Sequence, residues 1–154
     1  MAVEIERKFL VADDSWRDAA DEGVRMSQGY LSRETGRTVR VRLAGGKAWL
    51  TIKGAGEGIS RAEFEYEIPS ADAEELLGLC EPSVIDKTRF CVTYGQHVWE
   101  VDVFHGENEG LIVAEVELAD ESDQPELPPW IGGEVSDDRR YANSSLSRTP
   151  FCRW

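Results

Sequence analysis

Hydrophobic and polar residues alternate with a period of two through most of this chain, which predicts strands with two faces of different character. In the opening stretch VEIERKFLV, Glu4, Glu6 and Lys8 share one face and Val3, Ile5 and Phe9 the other, and the strand should end near Val11. Further stretches read the same way. Residues 24–31 place Met26, Gln28 and Tyr30 together, 38–43 place Arg40 with Arg42, and 47–54 place Trp49, Thr51 and Lys53. Residues 61–68 align Glu63, Glu65 and Glu67; 86–94 align Lys87 and Arg89; 97–104 align Glu100 and Asp102; 111–118 align Glu115 and Glu117. Turn residues separate most of them: Glu34-Thr35-Gly36, Ala44-Gly45-Gly46, Gly95-Gln96 and 106–110, with a glycine-rich loop at 54–58.

Helical signals are fewer. Asp13-Asp14-Ser15 offers caps for a short helix over 16–21, closed by Gly23. Asp72, with Glu75 three residues on, resembles a capping box for a helix whose Leu76, Leu77 and Leu79 should be core; Pro82 follows it. Residues 136–146 read as a short capped helix or helical plug, and the tail TPFCRW should pack through its apolar residues. The acidic, proline-rich stretch 120–129 is linker-like. Eight strands joined largely by hairpin-length turns predict an all-β-dominated fold. Its antiparallel sheet closes into a barrel, with a few flanking helices and a C-terminal plug.

Two barrels fit this pattern. In one, apolar residues fill the centre and charges face water, the default for a small soluble barrel. In the other, charges line a wide lumen, and helices with the C-terminal segment cover an apolar outer face. Same-sign pairs on single strands favour the second: Arg40 with Arg42, Lys87 with Arg89, Glu63 with Glu65, Glu100 with Asp102, and Glu115 with Glu117. A face built only for solubility would intersperse signs. Like charges two residues apart gain nothing from each other and point to a shared partner. A polyphosphate with Mg²⁺ or Mn²⁺ would satisfy both signs at once.

Composition narrows the partners. The chain has 154 residues, 41% of them hydrophobic, enough for a single domain over 1–154 with an ordinary core. It carries 30 acids against 17 bases, a formal net charge of −13. Such a surface repels nucleic acid and anionic membranes, so neither is an expected partner. No apolar run has the length of a membrane span, and the charged N-terminal stretch does not read as a signal peptide. Cys80, Cys91 and Cys152 lack metal-ligand spacing and are expected as reduced thiols in a cytoplasm. The glycosylation triplet Asn143-Ser144-Ser145 has no meaning there.

The Glu-x-Glu-x-Lys of Glu4, Glu6 and Lys8 is followed in order by SQGYL (27–31), TVRVR (38–42), LTIKG (50–54), EFEYEI (63–68), DKTRF (86–90), WEVDVF (99–104), AEVEL (114–118) and RRYANSSL (139–146). This series resembles the CYTH domain, or triphosphate tunnel metalloenzyme, superfamily, and within it the short bacterial inorganic triphosphatases. The resemblance implies an eight-stranded antiparallel tunnel that hydrolyses inorganic triphosphate to pyrophosphate and phosphate with Mg²⁺ or Mn²⁺, two ions being expected. It assigns phosphoryl binding to Lys8, Arg40, Arg42, Lys53, Lys87 and Arg89. Metal binding falls to Glu4, Glu6, Asp102, Glu115 and Glu117, with Glu63, Glu65 and Glu100 as further tunnel acids. Lys8 and Tyr30 match a catalytic Lys-Tyr pair of the short members. Alternatives kept open are thiamine or nucleoside triphosphate hydrolysis, ATP cyclisation, and non-catalytic binding of polyphosphate or an organic anion. A homodimer is compatible with the sequence.

The remaining candidates have plainer readings. His97 and His105, without ligand-spaced partners, are expected at the surface. Arg61, Arg139 and Arg140 are expected in surface ion pairs, and Trp49, Trp99 and Trp130 in packing.

Overall fold

Nine strands form one antiparallel sheet, and eight of them close into a ring. The computed structural model describes residues 3–80 and 84–154. In chain order the strands are β1 (Val3–Val11), β2 (Val24–Glu34), β3 (Arg37–Ala44), β4 (Lys47–Glu57), β5 (Ser60–Ile68), β6 (Ile85–Tyr94), β7 (His97–Phe104), β8 (Ile112–Glu117) and β9 (Ile131–Glu134). Hydrogen-bonded neighbours run β5-β4-β3-β2-β6-β7-β8-β1, and a β5–β1 pairing closes the circle. That closing seam is short: Val3, Ile5 and Glu4 pair with Ala62, Ser60 and Arg61. Beyond it β1 parts from β5 and takes up β9, with Phe9 opposite Glu134 and Val11 opposite Ile131. Each strand's alternation therefore meets a lumen on one side and an outer layer on the other.

The outer apolar face is covered in two places. Trp16, on a 3-10 turn (Ser15–Ala19), and Trp130, at the end of the 120–129 stretch, pack with Phe9, Val92, Trp99, Val101, Ala114 and Val116 over β1 and β6–β8. Helix α1 (Ser70–Leu79) lays Ala73, Leu76 and Leu77 on Val41, Leu43, Ala48 and Leu50 of β3 and β4. The remainder is bare: Ile52, Phe64 and Tyr66 of β4 and β5 face outward and are exposed. The inner side of one end of the ring is also apolar. There Ile85 of β6, Phe104 of β7 and Val113 of β8 receive Leu146 from α2 (Asn143–Arg148), with Tyr141 and Phe151 beside it, so the C-terminal segment plugs this end.

Several expected details differ. Strand β9 carries Ile-Gly-Gly-Glu, which shows no alternation; it exists because β1 has free edge groups where β5 leaves it. The glycine-rich stretch 54–58 lies mostly within β4, past a register shift between Lys53 and Gly56. At Gly56 an added Cβ would sit 1.9 Å from the Ser60 carbonyl oxygen, so the hairpin closes only over glycine. Helix α1 begins two residues before Asp72, behind Pro69, whose fixed φ suits a helix start; no side chain caps it. Leu79 is 74% exposed rather than core. The segment over 16–21 is one 3-10 turn, and the C-terminal helix starts at Asn143 after a separate 3-10 turn (Arg139–Tyr141), because Ala142 is extended. Pro82 lies outside the described residues.

Leu146 is fully buried in the plug. Leu146→Ala should lower unfolding stability in urea by about 2–5 kcal/mol through transfer loss and cavity formation. A loss below about 1 kcal/mol would mean that the plug does not pack as described.

Candidate active site

Closure gathers the charged faces of eight strands around a cavity of about 260 Å³. Seven bases line it (Lys8, Arg40, Arg42, Lys53, Arg61, Lys87, Arg89) and seven acids (Glu4, Glu6, Glu63, Glu65, Glu100, Glu115, Glu117). Tyr30 is the one aromatic residue among the described lining. Every residue singled out from the sequence lies here except Asp102, which sits immediately behind the wall.

Register decides who meets whom. Arg89 stands opposite Asp102, Lys8 opposite Glu115, and Lys53 opposite Glu63. Asp102 is fully buried and Lys87 is 1% exposed. Lys87 Nζ donates to Asp102 Oδ2 at 2.7 Å, Arg89 Nε to Oδ1 at 2.8 Å and Arg89 Nη2 to Oδ2 at 2.9 Å. Both Asp102 oxygens are thus taken by bases, which departs from the expectation of a metal ligand. Arg89 also reaches Glu100 at 3.1 Å and Glu115 at 3.7 Å. Lys53 Nζ donates to Glu4 at 2.8 Å. Lys8 lies 3.6 Å from Glu115 and donates to the Tyr141 carbonyl at 3.2 Å. Arg40 Nη2 donates to Thr51 at 3.2 Å, while its buried Nε finds no acceptor among the described residues.

One group of residues joins the site without having been among its sequence candidates. Asn143, at the start of α2, accepts through Oδ1 from Gln28 at 3.0 Å and from Lys87 at 3.1 Å, and Gln28 in turn accepts from Arg42 Nε at 2.8 Å. The plug is thereby tied to two of the bases. Gln28 lay on the Tyr30 face and in the block SQGYL, and Asn143 in the block RRYANSSL, but no role attached to either. Thr38 and Ser144 also line the cavity. The histidines are half-buried and have structural partners: His97 contacts Asp123 at 3.0 Å, and His105 contacts Thr88 Oγ1 at 2.8 Å. Arg140 pairs with Asp138 as expected. Among the described residues Arg61 and Arg139 have no carboxylate partner, in contrast to the surface pairs expected of them.

Crowding shifts the proton affinities. Burial, then the Glu115 and Glu4 carboxylates, raise Glu6 to about 8. Burial and a hydrogen bond with Glu4 raise Glu63 to about 7. Glu115 goes the other way: burial disfavours its charge, but Lys8 and Arg89 overcome this and hold it far below the usual carboxylate range. Burial, with Arg89 and Arg42 nearby, pulls Lys87 down to about 7 against the attraction of Asp102. Burial and the neighbouring Arg40 and Arg89 lower Arg42 to about 10.

Among the described residues no group of three or more His, Cys, Asp and Glu side chains stands ready as a metal centre. The donor chemistry nevertheless suits a divalent cation. Burial first, and then neighbouring carboxylates, raise Glu6 and Glu63 so that both keep protons near neutrality, and a hard cation among these groups would favour their charged forms.

A closed antiparallel ring enclosing balanced acids and bases defines a tunnel for a small, highly charged ligand. The chain belongs to the CYTH domain family, whose match covers residues 2–150. It is 48% identical over 152 residues to an inorganic triphosphatase of Acetivibrio thermocellus, covering 98% of this chain and 97% of that protein. It is 39% identical over 149 residues to an inorganic triphosphatase of Nitrosomonas europaea, covering 94% and 96%. A crystal structure of an inorganic triphosphatase superposes with a TM-score of 0.65 at 33% identity, covering 96% of this chain and 95% of that one.

The raised Glu6 sets a pH dependence. Between the ordinary value of 4.5 and about 8, the folded protein holds a proton that the unfolded chain has lost, so stability falls as pH rises through this window. Glu6→Gln should remove that fall: in chelator-treated buffer its melting temperature should exceed the parent's by a margin that grows from pH 5 to pH 9. Mn²⁺ at pH 8 should raise the parent's melting temperature. Parallel pH profiles for the two proteins would contradict the buried, crowded carboxyl.

Proposed function

We propose that this protein hydrolyses inorganic triphosphate to pyrophosphate and phosphate inside the ring, as a single CYTH domain using divalent metal. One observation carries the reading: seven bases and seven acids face one cavity of about 260 Å³, with a single aromatic ring among the described residues that line it. Such a lining suits phosphoryl groups with cations and offers no platform for a nucleobase. The names of the two relatives, which match nearly the full chain, agree with it.

In this reading Arg40, Arg42, Lys53, Lys87 and Arg89 bind phosphoryl oxygens and offset charge as it moves to the leaving group. Arg40 Nε, buried without an acceptor, is a donor that substrate satisfies. Asp102 orients Lys87 and Arg89, and Asn143 with Gln28 orients Lys87 and Arg42. Lys8 and Tyr30, both facing the cavity, hold the reacting phosphate and its bridging oxygen. Glu4, Glu6, Glu115 and Glu117, with Glu63, would hold Mg²⁺ or Mn²⁺, two ions matching the number of carboxylates. The metal, when bound, would offset phosphoryl charge and lower the pKa of its water. Glu6 and Glu63, raised by burial when no cation is near, would give up their protons on binding it. Glu65 and Glu100 rim the lumen.

Phosphate release from triphosphate should require Mg²⁺ or Mn²⁺ and exceed release from ATP and thiamine triphosphate by about 100-fold or more in kcat/KM. Preference for ATP or thiamine triphosphate would reassign the substrate, and saturable binding without turnover would make the protein a binder. Lys8→Ala should lower kcat by about 100-fold or more while the chain still unfolds cooperatively.

A further inference from the structure

The plug does not seal its end of the ring. Beside α2 lies a chamber of about 570 Å³, between the tips of the β2–β3 and β4–β5 hairpins and the C-terminal segment. It meets the lumen at Thr38, Arg61, Ala142 and Ser144, which line both spaces.

Its charge runs against that of the whole chain. Arg33, Arg61, Arg139 and Arg148 line it, and Asp137 is its single acid among the described residues. Several surface arginines elsewhere are paired: Arg7 with Glu134, Arg25 with Asp86, Arg37 with Glu34 and Arg140 with Asp138. Arg33 donates to Ser147. Arg61, Arg139 and Arg148 have no carboxylate partner among the described residues, in a chain where acids outnumber bases 30 to 17. Hydroxyls of Thr35, Ser60, Ser144 and Ser145 add donors, and no aromatic side chain is present. Guanidinium forks with hydroxyls recognise phosphate oxygens.

The opposite end of the lumen has the other sign. Moving away from the chamber, β5 presents Arg61, Glu63 and then Glu65. From the plug, β7 presents Phe104, Asp102 and then Glu100, and β8 presents Val113, Glu115 and then Glu117. The far rim thus carries Glu65 and Glu100, whose side chains are 42% and 36% exposed and sit in front of their more buried partners Arg40 and Arg89, together with exposed Glu117. A multivalent anion meets carboxylates at that rim and arginines at the chamber.

We propose that the chamber is the tunnel's anion entrance, an outer subsite where Arg61, Arg139 and Arg148 capture inorganic triphosphate before the lumen bases receive it. The proposal rests on the triphosphatase reading for the identity of its ligand. Electrostatic capture of this kind acts on association and is weakened by salt.

The test is the double variant Arg139→Ala, Arg148→Ala, two exposed residues outside the packed apolar cluster of Leu146, Tyr141 and Phe151. KM for triphosphate should rise by about ten-fold or more, with kcat within about two-fold of the parent. The dependence of kcat/KM on salt should flatten, and the double Lys variant should recover most of the loss. Unchanged KM and salt dependence would overturn the proposal, as would a fall in kcat alone. Should the parent fail to hydrolyse triphosphate, the functional reading falls, yet the chamber is still tested by calorimetric titration of triphosphate in chelator. Weaker binding by the double variant than by the parent then supports it, and equal affinities overturn it.

Discussion

A fully buried carboxylate held between two bases organises this ring. Asp102, without exposure, takes hydrogen bonds from both Lys87 and Arg89. Removing such charges from water costs several kcal/mol per ion, recovered only when geometry and further partners are good. The further partners come from elsewhere in the sheet and from the plug: Glu100 and Glu115 for Arg89, Asn143 for Lys87. The links from Lys87 and Arg89 to Asp102 and Glu100 lie within the β6–β7 hairpin, whereas Glu115 comes from β8 and Asn143 from the plug. The polar wall therefore starts in one hairpin and is completed when β8 and the C-terminal segment pack against it.

The seam explains why the site has two unlike openings. Strand β1 is shared between β5 and β9, and where β5 departs the C-terminal segment fills in. Lys8 sits at this junction: Ser136 Oγ accepts from its backbone N–H, Val135 N–H donates to its carbonyl, and its ammonium reaches Tyr141. One residue thus serves β1, the plug and the lumen. The β4–β5 hairpin tip, held to β1 only as far as the Glu6 N–H donating to the Ile59 carbonyl, forms one wall of the basic chamber. A barrel paired along its whole length would have closed that space.

Much of this was legible in the sequence because it is local. The alternation in TVRVR, EFEYEI and WEVDVF placed the charges on one face, and same-sign sorting indicated a lumen rather than a solvated surface. Gly45 and Gly46, both at positive φ, marked the β3–β4 turn by the conformation it needs. What escaped depends on register. Asp102 read as a metal ligand because nothing near it in the chain shows that Arg89 stands opposite. Strand β9 has no pattern, only an edge to pair with. Arg61 and Arg139 look like ordinary surface arginines, and it is the convergence of two hairpins and the C-terminal segment that leaves them without carboxylates. The outer face was expected to be covered throughout, yet α1 and the 120–129 stretch stop short of Ile52, Phe64 and Tyr66.

The central claim is that acids and bases of successive strands face one another across a ligand-filled bore. Crystals grown with triphosphate and Mn²⁺, under conditions too slow for turnover, test it by anomalous diffraction at the manganese edge. The account predicts manganese within coordination distance of the Glu4, Glu6 and Glu115 carboxylates, and phosphoryl oxygens on Arg40, Arg42 and Arg89. Manganese and triphosphate bound only outside the ring, with those side chains still paired to one another, would contradict it.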